Sequence, residues 1–329
     1  MKGPNPFTLW EEDPEKIYGR KEETRLFNSF LSSTTAAQGG LLVVSGGPGT
    51  GKTALMRYFA ILAERNKILA PFVRVERGES MQVLADKLQH EISSSARHTY
   101  GLEELVDMAS GENKHFGTIF FIDGIDKMKK ANDAISRITE ICRKNWNRKN
   151  IAFVLSSVKE FRTDPELAKT MLLKPFEEHE ARELVEKSLG KDIKMGDECF
   201  NTIMKDTGGN PRLFKNVCYY IYEKLRDNEK VISKGHYLAY LPHIMSMLSR
   251  EWFGRMYQDI PTAEREVLVS IARNDVMHVS DIAKALGKKL GPVTALVGRL
   301  KDRGQVVKLD RGRYQVFTKL YARYVISRS

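Results

Sequence analysis

Residues 41–53 read LLVVSGGPGTGKT. The first six are a short apolar run ending in glycine, the pattern of a buried strand, and residues 53–66 carry apolar side chains at helical spacing. Between them, Gly46, Gly47, Pro48, Gly49, Thr50, Gly51, Lys52 and Thr53 satisfy G-x-x-x-x-G-K-[ST]. A strand before and a helix after is the context that turns this pattern into a phosphate site. Glycines let several backbone N–H groups converge on phosphate oxygens. The helix start at residues 51–53 adds unpaired N–H donors and the positive end of the helix dipole. Lys52 is expected to reach the β- and γ-phosphates, and Thr53 to offer its hydroxyl to Mg²⁺, with Ala54 continuing the helix beneath the phosphates. ATP or ADP with Mg²⁺ is therefore the expected cofactor.

Working outward, residues 71–76 (PFVRVE) read as a strand and residues 81–96 as a helix. Thr118–Asp123 (TIFFID) is a strongly apolar strand, residues 131–145 a helix, Ile151–Ser157 (IAFVLSS) another buried strand, and residues 171–175 (MLLKP) a candidate fifth. Continuous apolar strands separated by helices predict an α/β fold with a parallel sheet covered on both faces. Asp123 ends its strand on the carboxyl edge, where parallel sheets bind ligands, and is expected to hold the metal through water. The next position, where many P-loop ATPases carry a glutamate that polarises the attacking water, is Gly124. Asp126 is the nearest spare carboxylate, either a substitute base or a structural Asp at a helix start. Ser156 and Ser157 close the next strand, either touching the γ-phosphate and the attacking water or capping a turn. Slow hydrolysis, with nucleotide acting mainly as a switch, is the expectation.

After residue 176 the strand runs stop. Residues 178–189, 196–205, 211–225 and 234–249 have helical spacing, a small all-helical unit. Inside it, Thr207-Gly208-Gly209-Asn210-Pro211-Arg212 breaks one helix and starts the next, because proline suits a first helical turn. Arg212 is then either a phosphate sensor that couples nucleotide to this unit or a surface arginine.

Four runs together resemble the AAA+/STAND class of P-loop ATPases: Ile17-Tyr18-Gly19-Arg20-Lys21-Glu22-Glu23, the phosphate loop, Asp123-Gly124-Ile125-Asp126, and Gly208-Gly209-Asn210-Pro211-Arg212. They span most of residues 1–250. Within the class the chain is similar to archaeal-type ATPases related to the origin-recognition initiators, and to NACHT-like switch proteins. The resemblance implies a parallel-sheet ATPase core with a helical lid, and puts Gly19 and Arg20 beside the adenine. Departures are equally specific. Asp123-Gly124 stands where initiators have Asp-Glu, and Lys127 where NACHT-like proteins have an acid. Asp164-Pro165-Glu166 stands where initiators carry Asp-Pro-Arg, leaving Arg162 as the nearest replacement.

The C-terminal segment starts with helical spacing over residues 262–273, capped by Thr262. Residues 280–286 form a second helix capped by Ser280, residues 287–291 a turn, and residues 292–303 a third helix. Residues 305–309 and 313–317 alternate as two strands around Asp310-Arg311-Gly312. Helix, helix, turn, helix and hairpin resemble a winged helix-turn-helix along the whole segment. In that motif the third helix enters the major groove and the wing touches backbone. Its outward face offers Thr294, Ala295, Gly298, Arg299 and Arg303; the turn adds Lys288 and Lys289, and the wing Arg311 and Arg313. The same fold also serves as a protein contact or a lid. The expected division is residues 1–176 for the nucleotide domain, 177–258 for the lid and 259–329 for the winged helix.

Composition supports this and excludes other classes. The 329 residues are 42% apolar, enough for real cores, and the net charge is +11. Residues 260–329 hold 14 Lys and Arg against 6 Asp and Glu, so most of the excess charge lies at one end. A basic end on a balanced body points to DNA. Cys142, Cys199 and Cys218 have no metal or disulfide spacing, and the seven histidines show no ligand pattern. Trp10, Trp146 and Trp252 read as packing residues. No apolar run reaches a membrane span and no signal peptide is evident, so a soluble, cytoplasmic protein is expected. Two functions follow. One is nucleotide-controlled DNA binding; the other is a STAND-type signalling or defence switch, whose winged helix meets a protein partner or a second copy.

Overall fold

The computed structural model describes residues 3–8, 17–93, 100–110 and 115–329. Trp10, and residues 94–96 of the helix expected over 81–96, lie outside them. The chain divides into two compact units, Asp13–Gly47 with Gly51–Lys174, and Met1–Glu12 with Pro48–Thr50 and Pro175–Ser329.

The first unit runs α1 (Lys21–Thr35), β1 (Leu41–Gly46), α2 (Lys52–Arg65), β2 (Phe72–Arg74), α3 (Met81–Ile92), α4 (Leu102–Ser110), β3 (Thr118–Asp123), α5 (Ala131–Asn145), β4 (Ile151–Ser157) and β5 (Ala168–Leu173). Five parallel strands form one sheet in the order β2-β3-β4-β1-β5. Every residue of β1, β3 and β4 is buried, which is why these strands read as unbroken apolar runs. Side chains alternate between two cores. Leu41, Val43, Phe120, Ile122, Phe153 and Leu155 pack with Leu84, Leu88, Leu105 and Ile138 from α3, α4 and α5. Leu42, Val44, Ile119, Phe121, Ala152 and Val154 face the other way, onto Phe27 and Phe30 of α1 and Met56 and Phe59 of α2. Phe27 and Phe59 stack with centroids 4.1 Å apart. The candidate fifth strand forms as β5, beginning three residues earlier than the apolar run.

The placement of β4 between β1 and β3 matters for function. It brings the ends of three central strands to one edge, so that Ser156, Asp123 and the start of the loop after β1 become neighbours.

The second unit begins with α6 (Glu178–Leu189), β6 (Lys194–Met195), α7 (Asp197–Thr207), α8 (Pro211–Lys224), β7 (Val231–Ile232) and α9 (Lys234–Leu248). A π-helical turn at Ser249–Phe253 leads into α10 (Gly254–Gln258). Then come α11 (Thr262–Asn274), β8 (Val276–His278), α12 (Val279–Ala285), α13 (Leu290–Asp302), β9 (Val306–Asp310), β10 (Arg313–Val316) and α14 (Lys319–Ile326). The last three strands form an antiparallel sheet in the order β8-β10-β9. Two caps differ from expectation. Pro261 precedes α11 in the cap position and Thr262 is its first helical residue. α12 starts one residue early because His278 Nδ1 accepts the Ser280 N–H at 3.3 Å. α13 starts at Leu290, which puts Pro292 inside its first turn, where a missing N–H costs nothing.

Candidate nucleotide site

β1 delivers the chain to the loop, and Gly51 turns it into α2 at φ 93°, a left-handed conformation that a side chain would strain. Lys52 is the first residue of α2, and its Nζ donates to Gly46 O at 2.7 Å and Gly47 O at 2.8 Å. Burial penalises the charged ammonium and pulls its pKa down to about 8. Asp126 and Asp123 oppose that pull, and Lys127 reinforces it.

Asp123 is buried at the end of β3. Its Oδ2 accepts the Thr53 hydroxyl at 2.9 Å, and its Oδ1 accepts the Ser156 hydroxyl at 2.5 Å. Thr53 Oγ1 and Asp123 Oδ2 are hard oxygen donors brought together beside the loop, the chemistry that suits Mg²⁺. Thr53 and Asp123 would hold the ion, which would offset phosphate charge. Among the described residues no group of three His, Cys, Asp or Glu side chains gathers to hold a metal, and Mg²⁺ at a phosphate needs no such cage.

The Ser156 hydroxyl donates to Asp123 and accepts the Gly124 N–H at 2.8 Å, so it positions the carboxylate. Ser157 accepts the Lys159 N–H at 2.9 Å and closes a turn. Asp126 sits in a single 3₁₀ turn, Ile125–Lys127, and its Oδ1 accepts the Val158 N–H at 3.3 Å. Of the two readings of Asp126, this contact supports the structural one. Gly124 has φ 86°, and a Cβ built on it would lie 3.2 Å from Lys127 Nζ. A cation therefore fills the space beside the position where a glutamate would start.

Gly19 has φ 63° and precedes Arg20, which is buried. The Arg20 guanidinium donates to Glu23 Oε1 at 3.0 Å and to Lys174 O at 3.0 Å, tying the start of α1 to the chain beyond β5. Arg20 thus has a packing task, whatever its relation to a base. Asp164 pairs with Arg143 at 2.7 Å and accepts the Glu166 N–H, so the run 164–166 is a local turn.

In the second unit, α7 ends on Gly208 in the left-handed region, and Asn210 caps α8 by accepting the Leu213 N–H at 3.2 Å. Asn210 Nδ2 donates to Pro48 O at 2.8 Å, and the Arg212 N–H donates to Gly49 O at 3.1 Å. The Arg212 guanidinium lies over the Trp252 ring, 4.5 Å from its centroid. Trp252 projects from the π-helical turn, and a Cβ on Gly49 would come within 2.6 Å of its Cη2. Asn210 and Trp252 are the loop-tip contacts that motif reading missed. Asn before Pro at a helix start was a visible capping signal, while a single π turn leaves no periodicity to read.

The C-terminal basic residues divide into two groups. Lys288 pairs with Glu266, and Arg313 with Asp310. Arg303 Nε lies 3.2 Å from the buried Glu264, and Arg299 4.0 Å. Among the described residues no ion pair engages Lys289 or Arg311. The Thr294 hydroxyl bonds back to Leu290 O at 2.8 Å. A Cβ on Gly291 or Gly298 would meet nothing within 4 Å, so this face of α13 is open to close approach. Leu290, Val307 and Leu309 are exposed apolar residues in the same segment. Cys142, Cys199 and Cys218 are buried thiols, and burial raises the Cys142 pKa to about 12. Among the described residues no helix is long and apolar enough to cross a membrane.

Residues 16–137 match the AAA ATPase domain family (AAA_16). The structure of the Aeropyrum pernix Orc1 protein in complex with DNA is similar over 98% of this chain and 95% of that one, at 16% identity and a TM-score of 0.55. The Drosophila ORC bound to DNA is similar over 95% of this chain and 88% of that one, at 15% identity and a TM-score of 0.51. No curated protein sequence matches the chain. The fold matches that of AAA+ P-loop ATPases, and the family match is confined to residues 16–137.

Proposed function

We propose that this protein is an ATP-binding, slowly hydrolysing AAA+ ATPase whose nucleotide state controls DNA binding by a C-terminal winged helix. The observation that carries the nucleotide half is the cluster Lys52, Thr53 and Asp123, set by Ser156 at the carboxyl edge of the sheet. Gly124 and the bond of Asp126 to the Val158 N–H support slow hydrolysis. In this reading residues 1–176 bind Mg·ATP, residues 177–258 are the lid, and residues 259–329 are the winged helix. Arg212 reports the phosphates to the lid.

The DNA half is supported by the basic C-terminal segment, by the open face of α13, and by the DNA complexes of the two similar structures. Because Lys288, Arg303 and Arg313 are held in intramolecular pairs, Lys289 and Arg311 carry the phosphate contacts. The test is duplex-DNA binding across a salt series, wild type against Lys289→Ala with Arg311→Ala. A weaker complex and a shallower salt slope support the reading. Unchanged binding moves the DNA contact elsewhere.

One observation favours a second reading. Leu290, Val307 and Leu309 expose apolar side chains in the segment whose Arg303 and Arg313 are already paired. A STAND-type switch would use that surface for a protein partner or a second copy. Loss of self-association or partner binding in Leu309→Asp, with DNA binding absent throughout, would favour it.

A further inference from the structure

Arg74 closes β2, and the strand register sets it directly opposite Asp123. Its Nε donates to Asp123 Oδ2 at 3.2 Å, the same oxygen that accepts the Thr53 hydroxyl. The Asp123 side chain is 7% exposed and the Arg74 side chain 51%. The end of β2 is pinned, because Lys87 Nζ donates to Arg74 O at 2.9 Å and to Glu79 Oε1 at 2.7 Å. Arg74 thus holds the metal carboxylate from the solvent side, on a strand end that does not drift.

A buried carboxylate beside a phosphate loop repels the phosphates unless a cation sits between them or cancels it. Mg²⁺ normally does this work. Here a guanidinium already pairs with the carboxylate, and Lys127 lies over Gly124 where an acid would add to the repulsion. Half-exposed, Arg74 can leave Asp123 for water without being stranded in a dry interior.

Resting on the nucleotide assignment above, we propose that Arg74 stands in for the metal on Asp123. The site then takes up a nucleoside triphosphate without Mg²⁺, and Mg²⁺ enters by displacing Arg74 from Asp123 Oδ2. Arg74 is a positioning residue for the carboxylate.

The test is equilibrium binding of a fluorescent ATP analogue to the full chain, in EDTA and across a Mg²⁺ titration, for wild type, Arg74→Ala, Arg74→Lys and Lys52→Ala. Arg74→Ala is expected to weaken binding in EDTA by about tenfold, the size of a lost charge-assisted bond. It is also expected to lower the Mg²⁺ concentration at half effect, since the competitor for Asp123 is gone. The two shifts have opposite signs, which a folding defect does not produce. Arg74→Lys should fall between wild type and alanine, and Lys52→Ala should bind in neither condition. Equal affinity of wild type and Arg74→Ala in EDTA would overturn the proposal. So would an unchanged Mg²⁺ midpoint, or wild-type binding seen only with Mg²⁺. Wild type that binds in neither condition would overturn the nucleotide assignment itself, and the proposal with it.

Discussion

Arg323 on α14 pairs with Asp206 on α7 at 3.2 Å. The carboxylate also accepts the Tyr237 hydroxyl from α9 at 2.7 Å. The last helix of the chain is thereby tied to the first half of its unit through a nearly buried carboxylate. Around this tie, Phe253, Tyr321 and Tyr324 form an aromatic cluster, with Phe317 tilted against Tyr321 and set edge-on to Trp252. Packed side chains thus connect Trp252 to α14 within one unit. Removing one partner of such a pair strands charge. Asp206→Asn and Arg323→Ala should be coupled by about 1–2 kcal/mol in a double-mutant cycle read by thermal melting. Additive losses would make the pair incidental.

Gly124→Glu should not restore fast hydrolysis. The backbone at φ 86° resists a side chain, and Lys127 is in the way. We expect unchanged turnover and a loss of stability of about 1–2 kcal/mol, measured by steady-state ATPase assay and denaturant melt. A large rise in turnover would show that the loop rebuilds easily.

Asp126→Asn should leave turnover close to wild type. The Asp126 carboxylate accepts a backbone N–H, and an amide oxygen can replace it. A fall in turnover of about tenfold or more would make Asp126 a base after all and contradict its structural role.

Arg303→Ala should lower stability more than it lowers DNA affinity. Glu264 is buried, and Arg303 is its nearer cation. Leaving it unpaired costs about 1–3 kcal/mol, visible as a lower melting temperature. Loss of DNA affinity with an unchanged melt would return Arg303 to the DNA face.

The nucleotide loop was legible because everything it needs is contiguous: an apolar strand, glycines, Lys52 and Thr53. Asp123 was legible for the same reason, as a polar residue closing an unbroken apolar run. What chain order hides is pairing between strands. Arg74 and Asp123 are 49 residues apart and meet only because β2 lies beside β3. Ser156 was visible as a strand-end serine, but its duty depends on β4 lying between β1 and β3. Charge spacing likewise named Arg303 and Arg313, yet could not show that Glu264 and Asp310 already hold them. The caps expected at Thr262 and Ser280 fall at Pro261 and His278, one and two residues earlier.

Control of DNA binding by nucleotide is read in the duplex-DNA affinity of the full chain, measured by fluorescence anisotropy with ATP, with ADP and without nucleotide, each across a salt series, with Lys52→Ala alongside. Binding should differ between ATP and ADP, fall steeply with salt, and lose its nucleotide dependence in Lys52→Ala. Affinity that is the same in all three nucleotide states, or no DNA binding in any of them, would contradict it.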